Sequence, residues 1–141
     1  MKIYTIGFTK KSLGEFIDLL KKNGVQKVVD IRLNPSSQLS GFAIQRDLKY
    51  TLKRESIGYE HILELAPDEP LLEKYRKDKN WAEYEKSFSK LMERRNAKEI
   101  LKKLLSEGKT LCLLCSEDKA NKCHRRLVAE LLDKDVEIIH L

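Results

Sequence analysis

Thr110 to Ser116 reads TLCLLCS, an uncharged run in a chain of which 35% is charged. It is too short for a buried helix and about the length of a strand, so it reads as the most apolar strand and the centre of a sheet. Lys27 to Arg32 (KVVDIR) carries a second short apolar run, consistent with burial on both faces, as in parallel sheets. A sheet of this kind needs helices on its two sides, and the sequence supplies them in alternation.

Lys2 to Phe8 reads as the first strand, ending at Gly7-Phe8-Thr9. Ser12-Leu13-Gly14-Glu15 is a capping box, Leu13, Phe16, Ile17 and Leu20 mark one helical face, and Asn23-Gly24 closes the helix. After the strand at 27–32, Leu33 to Gly41 reads as a loop, Phe42 to Ser56 as a helix and Gly58 to Leu63 as a third strand. Glu64 to Asn80 is the least legible stretch, with prolines at 67 and 70 and a short helix over Leu71 to Lys77. Trp81 to Arg95 is helical, with Trp81, Tyr84, Phe88, Leu91 and Met92 in register. Asn96 reads as a fresh cap, opening a second helix or a bent continuation of the first that ends at Gly108. Asn121 is the expected cap of a helix from Lys122 to Lys134, and Val136 to Leu141 closes the chain as a strand. The expected fold is an α/β three-layer sandwich, with a mostly parallel sheet of about five strands flanked by helices. At 141 residues this is the size of one domain, 1–141.

No stretch approaches the ~20 apolar residues of a membrane span, so no membrane partner is expected. The N-terminus lacks the features of a signal peptide, and three cysteines, an odd number, point to free thiols in a reducing cytoplasm. A Lys- and Glu-rich composition leans toward a heat-adapted source, where intracellular disulfides do occur. The net charge of +6 is spread along the chain. Taken singly, runs such as Lys21-Lys22 and Lys102-Lys103 read as solvated helix faces; together they favour an anionic small molecule or nucleic acid as partner. The oligomeric state is open.

In an open parallel sheet, ligands sit outside the carboxyl ends of the strands. Those ends carry Thr9, then Asp30 and Arg32, then Tyr59 and His61, then Cys115, Ser116 and Glu117, followed by Cys123-His124-Arg125-Arg126. Cys115 and Cys123 are the candidate reactive thiols. A thiol of ordinary pKa is only about 3% ionised at pH 7, and a helix N-terminus with nearby arginines lowers that pKa. His61 and His124 are candidate bases, Asp30 an orienting carboxylate or base, and Arg32 and Arg125 anion holders. Pro35-Ser36-Ser37 and the basic loop at Lys119 and Lys122 are placed to close over a ligand, and His140 reads as structural. Cys112-Leu-Leu-Cys115 has CxxC spacing, but residues three apart on a strand face opposite sides, so Cys112 belongs to the core. There is no GxGxxG, no Walker glycine loop and no C-x5-R cradle, and no cofactor is expected.

The segments YTIGFTKKSLGEFIDLLKKNGV, VVDIRLNPSS, IGYEHILEL and LLCSEDKANKCHRRLVAELL together resemble the family catalogued as domain of unknown function 488. The resemblance runs from Tyr4 to about Leu132, and the C-x7-C-H-R-R segment is its most specific part. It implies recurring residues at Gly7, Thr9, Asp30, Arg32, Pro35, Tyr59, His61, Cys115, Glu117, Cys123, His124, Arg125 and Arg126. The chain departs from the pattern at Glu64-Leu65-Ala66-Pro67, where many members have Leu-Gly-Gly. The resemblance implies a fold and a site location, and no particular reaction.

The first expectation is therefore an enzyme, a hydrolase or transferase, with a Cys115 nucleophile acting on a nucleotide or nucleic-acid-related substrate. Thr9, Arg32, Pro35, Tyr59, Glu117, Arg125 and Arg126 would hold that substrate. The alternatives are a phosphate- or nucleic-acid-binding module without turnover, a metal site built on Cys115, Cys123 and His124, with or without His61, and a Cys115–Cys123 disulfide.

Overall fold

The structure, a computed structural model, describes every residue except Asp118, and of Gln38 the main chain alone. Five strands form one sheet: β1 (Lys2–Gly7), β2 (Lys27–Asp30), β3 (Gly58–His61), β4 (Leu111–Cys115) and β5 (Glu137–His140). Their order across the sheet is β3-β2-β4-β1-β5, and every pairing is parallel. The TLCLLCS run supplies the middle strand, β4, all five residues of which are buried.

Helices α1 (Leu13–Lys22) and α2 (Gln45–Arg54) cover one face. Their Phe16, Ile17, Leu20, Leu48 and Leu52 pack with Tyr4, Ile6, Val28, Cys112 and Leu114 of the sheet. Helices α3 (Glu69–Asp78), α4 (Trp81–Arg94), α5 (Ala97–Leu105) and α6 (His124–Ala129) cover the other. There Phe88, Met92, Leu101, Leu104 and Val128 pack with Ile3, Val29, Leu111 and Leu113. Successive strand residues alternate between these two cores, as the period of two requires. This is the three-layer sandwich expected, and Cys112 lies in the core on the α1/α2 side.

Several boundaries differ from those read in the sequence, each for a local reason. The helix expected over 42–56 begins only at Gln45. Gly41 adopts φ 56°, ψ −126°, and Ile44 is extended, so residues 38–43 form a separate 3-10 turn. The β2 ladder stops at Asp30 because the Asp30 carboxylate accepts the Arg32 amide at 3.2 Å. In the least legible stretch, Asp68 caps α3 by accepting the Leu71 amide at 3.0 Å, and Pro70 stands in the first turn, where its missing N–H costs nothing. Helix α6 is shorter than the expected 122–134. Its cap is Cys123 (φ −138°, ψ 141°) rather than Asn121, and past Ala129 the chain continues in tight turns.

Strand β1 sends the chain toward β2 on one side, while its neighbour β4 sends it toward β5 on the other. The two connections pass one another on opposite faces of the sheet, a change of face beside which open parallel sheets bind their ligands.

Candidate active site

The register pairs Gly7 with Cys115 at the end of β1 and β4. The next loop folds back so closely that a Cβ on Gly7 would lie 1.5 Å from the Glu117 carbonyl oxygen. Thr9 fixes the same loop from above: its hydroxyl donates to the Ser116 carbonyl at 2.7 Å and its amide to the same oxygen at 3.1 Å. From below, the fully buried Arg125 donates to the Thr5 hydroxyl at 3.2 Å and to the Glu117 carbonyl. Glycine, threonine and arginine therefore hold 115–117 in one shape.

That shape turns Cys115 toward the start of α6. Its Sγ lies 3.4 Å from His124 Nδ1, and the other ring nitrogen, Nε2, is 2.6 Å from the Ile31 carbonyl oxygen. A carbonyl only accepts, so Nε2 carries a proton and Nδ1 faces the sulfur. The donor atoms of Cys115, Cys123 and His124 all lie within 4.8 Å of one another. Burial raises the Cys115 thiol, but the Cys123 thiol, the Ser116 and Glu117 amides and the Arg125 charge outweigh it and hold it below its ordinary value. Cys123 moves the other way, pushed up by its hydrogen bond to Cys115, by burial and by the Cys115 charge. The pair thus consists of one sulfur favoured as thiolate and one kept as thiol. Burial also pushes up the phenol of Tyr84, with the Cys115 charge adding to it.

A cleft of about 700 Å³ opens over this centre. Cys115, Cys123 and His124 line its floor, together with Thr9, Arg32 and Glu117 among the residues singled out in the sequence. One wall is the segment around Asn34, Ser37, Leu39 and Ser40, and the other is formed by α3 and the start of α4.

Arg32 does not face the cleft as a bare cation. Its Nε and Nη2 donate to Asp30 at 2.9 and 2.7 Å, Nη1 lies 3.5 Å from the Ser40 hydroxyl, and its guanidinium is 5.4 Å from the Phe8 ring centroid. Asp30, fully buried, also accepts from the Tyr59 hydroxyl at 2.5 Å, and burial together with that bond pushes the phenol up. His61 Nε2 sits 2.7 Å from the Arg32 carbonyl. Asp30, Tyr59 and His61 thus lie behind the cleft and fix Arg32. Arg125 lies beneath the floor, and Arg126 faces outward to Glu130 and Glu85. Pro35 is buried, its carbonyl accepting the Gln45 amide at 2.8 Å. His140 contacts the Thr5 hydroxyl at 2.6 Å.

The sequence reading missed the α3–α4 wall. Trp81 stacks on Tyr84 at 5.0 Å, Tyr84 stacks on Phe88 at 6.0 Å, and Phe88 meets the His124 ring at 5.7 Å. Tyr75 packs edge-on against Trp81, and Lys79 lies 5.8 Å from the Tyr75 ring centroid. Lys79 and Lys122 line the cleft with no carboxylate partner among the described residues, whereas Arg76 is paired with Glu69 at 3.6 Å. The available signal was the clustering of Tyr75, Arg76, Lys79 and Trp81 in one short stretch.

A family model described as domain of unknown function DUF488 matches residues 12–132. No curated protein and no solved structure matches the chain.

Proposed function

From the premise that this chain belongs to the domain of unknown function DUF488 family, we propose that it is an enzyme whose Cys115 attacks an anionic, nucleotide-class substrate. The observation that carries this reading is the contact of Cys115 Sγ with His124 Nδ1, 3.4 Å apart on the floor of an open cleft. His124 takes the thiol proton at Nδ1 while its Nε2–H keeps donating to the Ile31 carbonyl, which orients the ring as the third member of a catalytic triad does. His124 then returns the proton to the leaving group. The Ser116 and Glu117 amides steady the sulfur's charge and would stabilise charge passing to a substrate oxygen. Cys123 keeps the sulfur ionised, and Asp30 positions Arg32.

The substrate class rests on the walls. The half-buried Trp81 and Tyr75 offer aromatic surface, and Lys79 and Lys122 offer positive charge, a pairing suited to a base with its phosphate. The test is incubation with nucleotides and short single strands, followed by intact-mass measurement for an adduct on Cys115. An adduct or product that disappears in Cys115→Ser supports the reading; equal turnover in that variant ends it. Saturable binding with no product would instead favour a binding module.

One observation favours a second reading. Three soft donors within 4.8 Å, one a histidine whose far nitrogen is held by a carbonyl, also suit a divalent metal with an open position toward the cleft. Elemental analysis of purified protein separates the two, and less than roughly a tenth of an equivalent of zinc or iron dismisses the metal.

A further inference from the structure

We propose that Cys115 and Cys123 form a peroxide-sensing thiol pair, in which Cys123 resolves an oxidised Cys115 into a disulfide that switches the site off. The proposal deepens the reading of Cys115 as nucleophile and rests on it for the word "off", while the disulfide itself stands on the sulfur geometry alone.

Three features of the site support it. The sulfurs lie within 4.8 Å of each other, at the floor of a cleft wide enough for a small oxidant. The loop that carries Cys115 is fixed by Gly7, Thr9 and Arg125, so its sulfur is held beside Cys123. Finally, Cys123 is the extended cap residue of α6 and lies outside the helix proper, so its side chain can turn toward Cys115 without unwinding a helical turn.

The chemistry balances with hydrogen peroxide as oxidant. The Cys115 thiolate attacks one peroxide oxygen, the O–O bond breaks, and the departing hydroxide takes the proton held on His124 Nδ1 and leaves as water. Cys115 is then a sulfenic acid. The Cys123 thiol attacks its sulfur, the S–O bond breaks, and the oxygen leaves as a second water carrying the Cys123 proton. The peroxide has gained two electrons, one from each sulfur, and the product is a Cys115–Cys123 disulfide. A thiol reductant reverses it by exchange. Cys112 takes no part, because it lies in the core on the opposite side of the sheet and burial pushes its thiol up.

The experiment is mild hydrogen peroxide on the native protein, followed by denaturation and alkylation to count thiols. The reduced chain takes three adducts. We expect one after oxidation, on Cys112, with three restored by dithiothreitol, and a peptide map linking Cys115 to Cys123. Cys123→Ala should instead accumulate a sulfenic acid on Cys115 that a dimedone probe traps, and Cys115→Ala should give neither product. An unchanged thiol count, or a disulfide that includes Cys112 or joins two chains, overturns the proposal. Its failure is separable from that of the enzyme reading. Loss of turnover in Cys115→Ser without a disulfide in the native protein rejects the switch alone. A disulfide in a protein whose turnover survives Cys115→Ser rejects the nucleophile alone.

Discussion

Gly7 on β1 and Glu117 beyond β4 approach so closely that one added methyl group would sit 1.5 Å from the Glu117 carbonyl oxygen and 2.8 Å from an Arg125 guanidinium nitrogen. The glycine is therefore a condition of the shape of the 115–117 loop. Gly7→Ala must push that loop off its seat and carry the Ser116 and Glu117 amides away from Cys115. We expect a loss of about 1–3 kcal/mol in stability, as for other overpacked sites, and a larger loss in Cys115 reactivity. Denaturant melts and iodoacetamide rates measure the two separately.

The reactivity of Cys115 should depend on pH in a defined direction. Its thiol is held below the ordinary value of 9.0, so alkylation rises as the pH climbs through that lowered value, earlier than for an ordinary thiol. Cys123→Ala removes the largest of the influences that lower it, and the midpoint of the rate profile should move upward. The linked stability has the same sign: it is present above the ordinary thiol value and lost as the pH falls through the folded one. Cys112 and Cys123, both pushed up, act oppositely, and their contribution is lost as the pH rises. A rate profile for Cys115 centred above pH 9 would contradict this assignment.

Asp30 neutralises a guanidinium that is only 4% exposed. Asp30→Asn leaves that charge buried without its counterpart, and breaking such a pair from one side costs roughly 3–5 kcal/mol. The Asp30→Asn, Arg32→Met double variant should recover part of the loss. A double variant no more stable than the single one would show that the charge is not the cause.

His124→Gln should lower turnover by about 10²–10⁴-fold, the usual weight of a general base. The chain should stay folded, because the glutamine amide can still donate to the Ile31 carbonyl. Turnover within twofold of the parent, roughly, would leave the imidazole without a catalytic part.

Trp81 is the single tryptophan of the chain and lines the cleft. Nucleotide binding should therefore change intrinsic fluorescence, and Trp81→Ala should weaken binding by about 1–3 kcal/mol, the usual worth of a stacked base. Titrations at two salt concentrations would separate this from the charge of Lys79 and Lys122.

Much of this arrangement was legible in the chain itself. Strand centres announce themselves by uncharged runs such as TLCLLCS, and the capping box at Ser12 marks α1, where both of its hydrogen bonds form. The strand-end residues were legible too, because a parallel sheet gathers them on one edge. What could not be read was which of them meet. His61 and His124 look alike in sequence, and only the insertion of β4 between β1 and β2 carries the His124 ring to the Ile31 carbonyl while His61 turns to Arg32. Helical spacing marked Trp81, Tyr84 and Phe88 as one stripe without showing that the stripe runs from the core out into the cleft. The cap of α6 went astray because Asn is a stronger cap than Cys, whereas Cys123 takes the cap position with no side-chain bond to the helix amides.

Helix α3 contains no fully buried residue and meets the core only through the half-buried Leu71, Leu72 and Tyr75. Lifting it gives up little apolar burial, while any shift of the floor would break the Arg125, Thr9 and Gly7 contacts together. A substrate of the proposed enzyme would thus meet a yielding side and an anvil beneath: its bulk would be accommodated by the one, and the aim of its reacting atom dictated by the other.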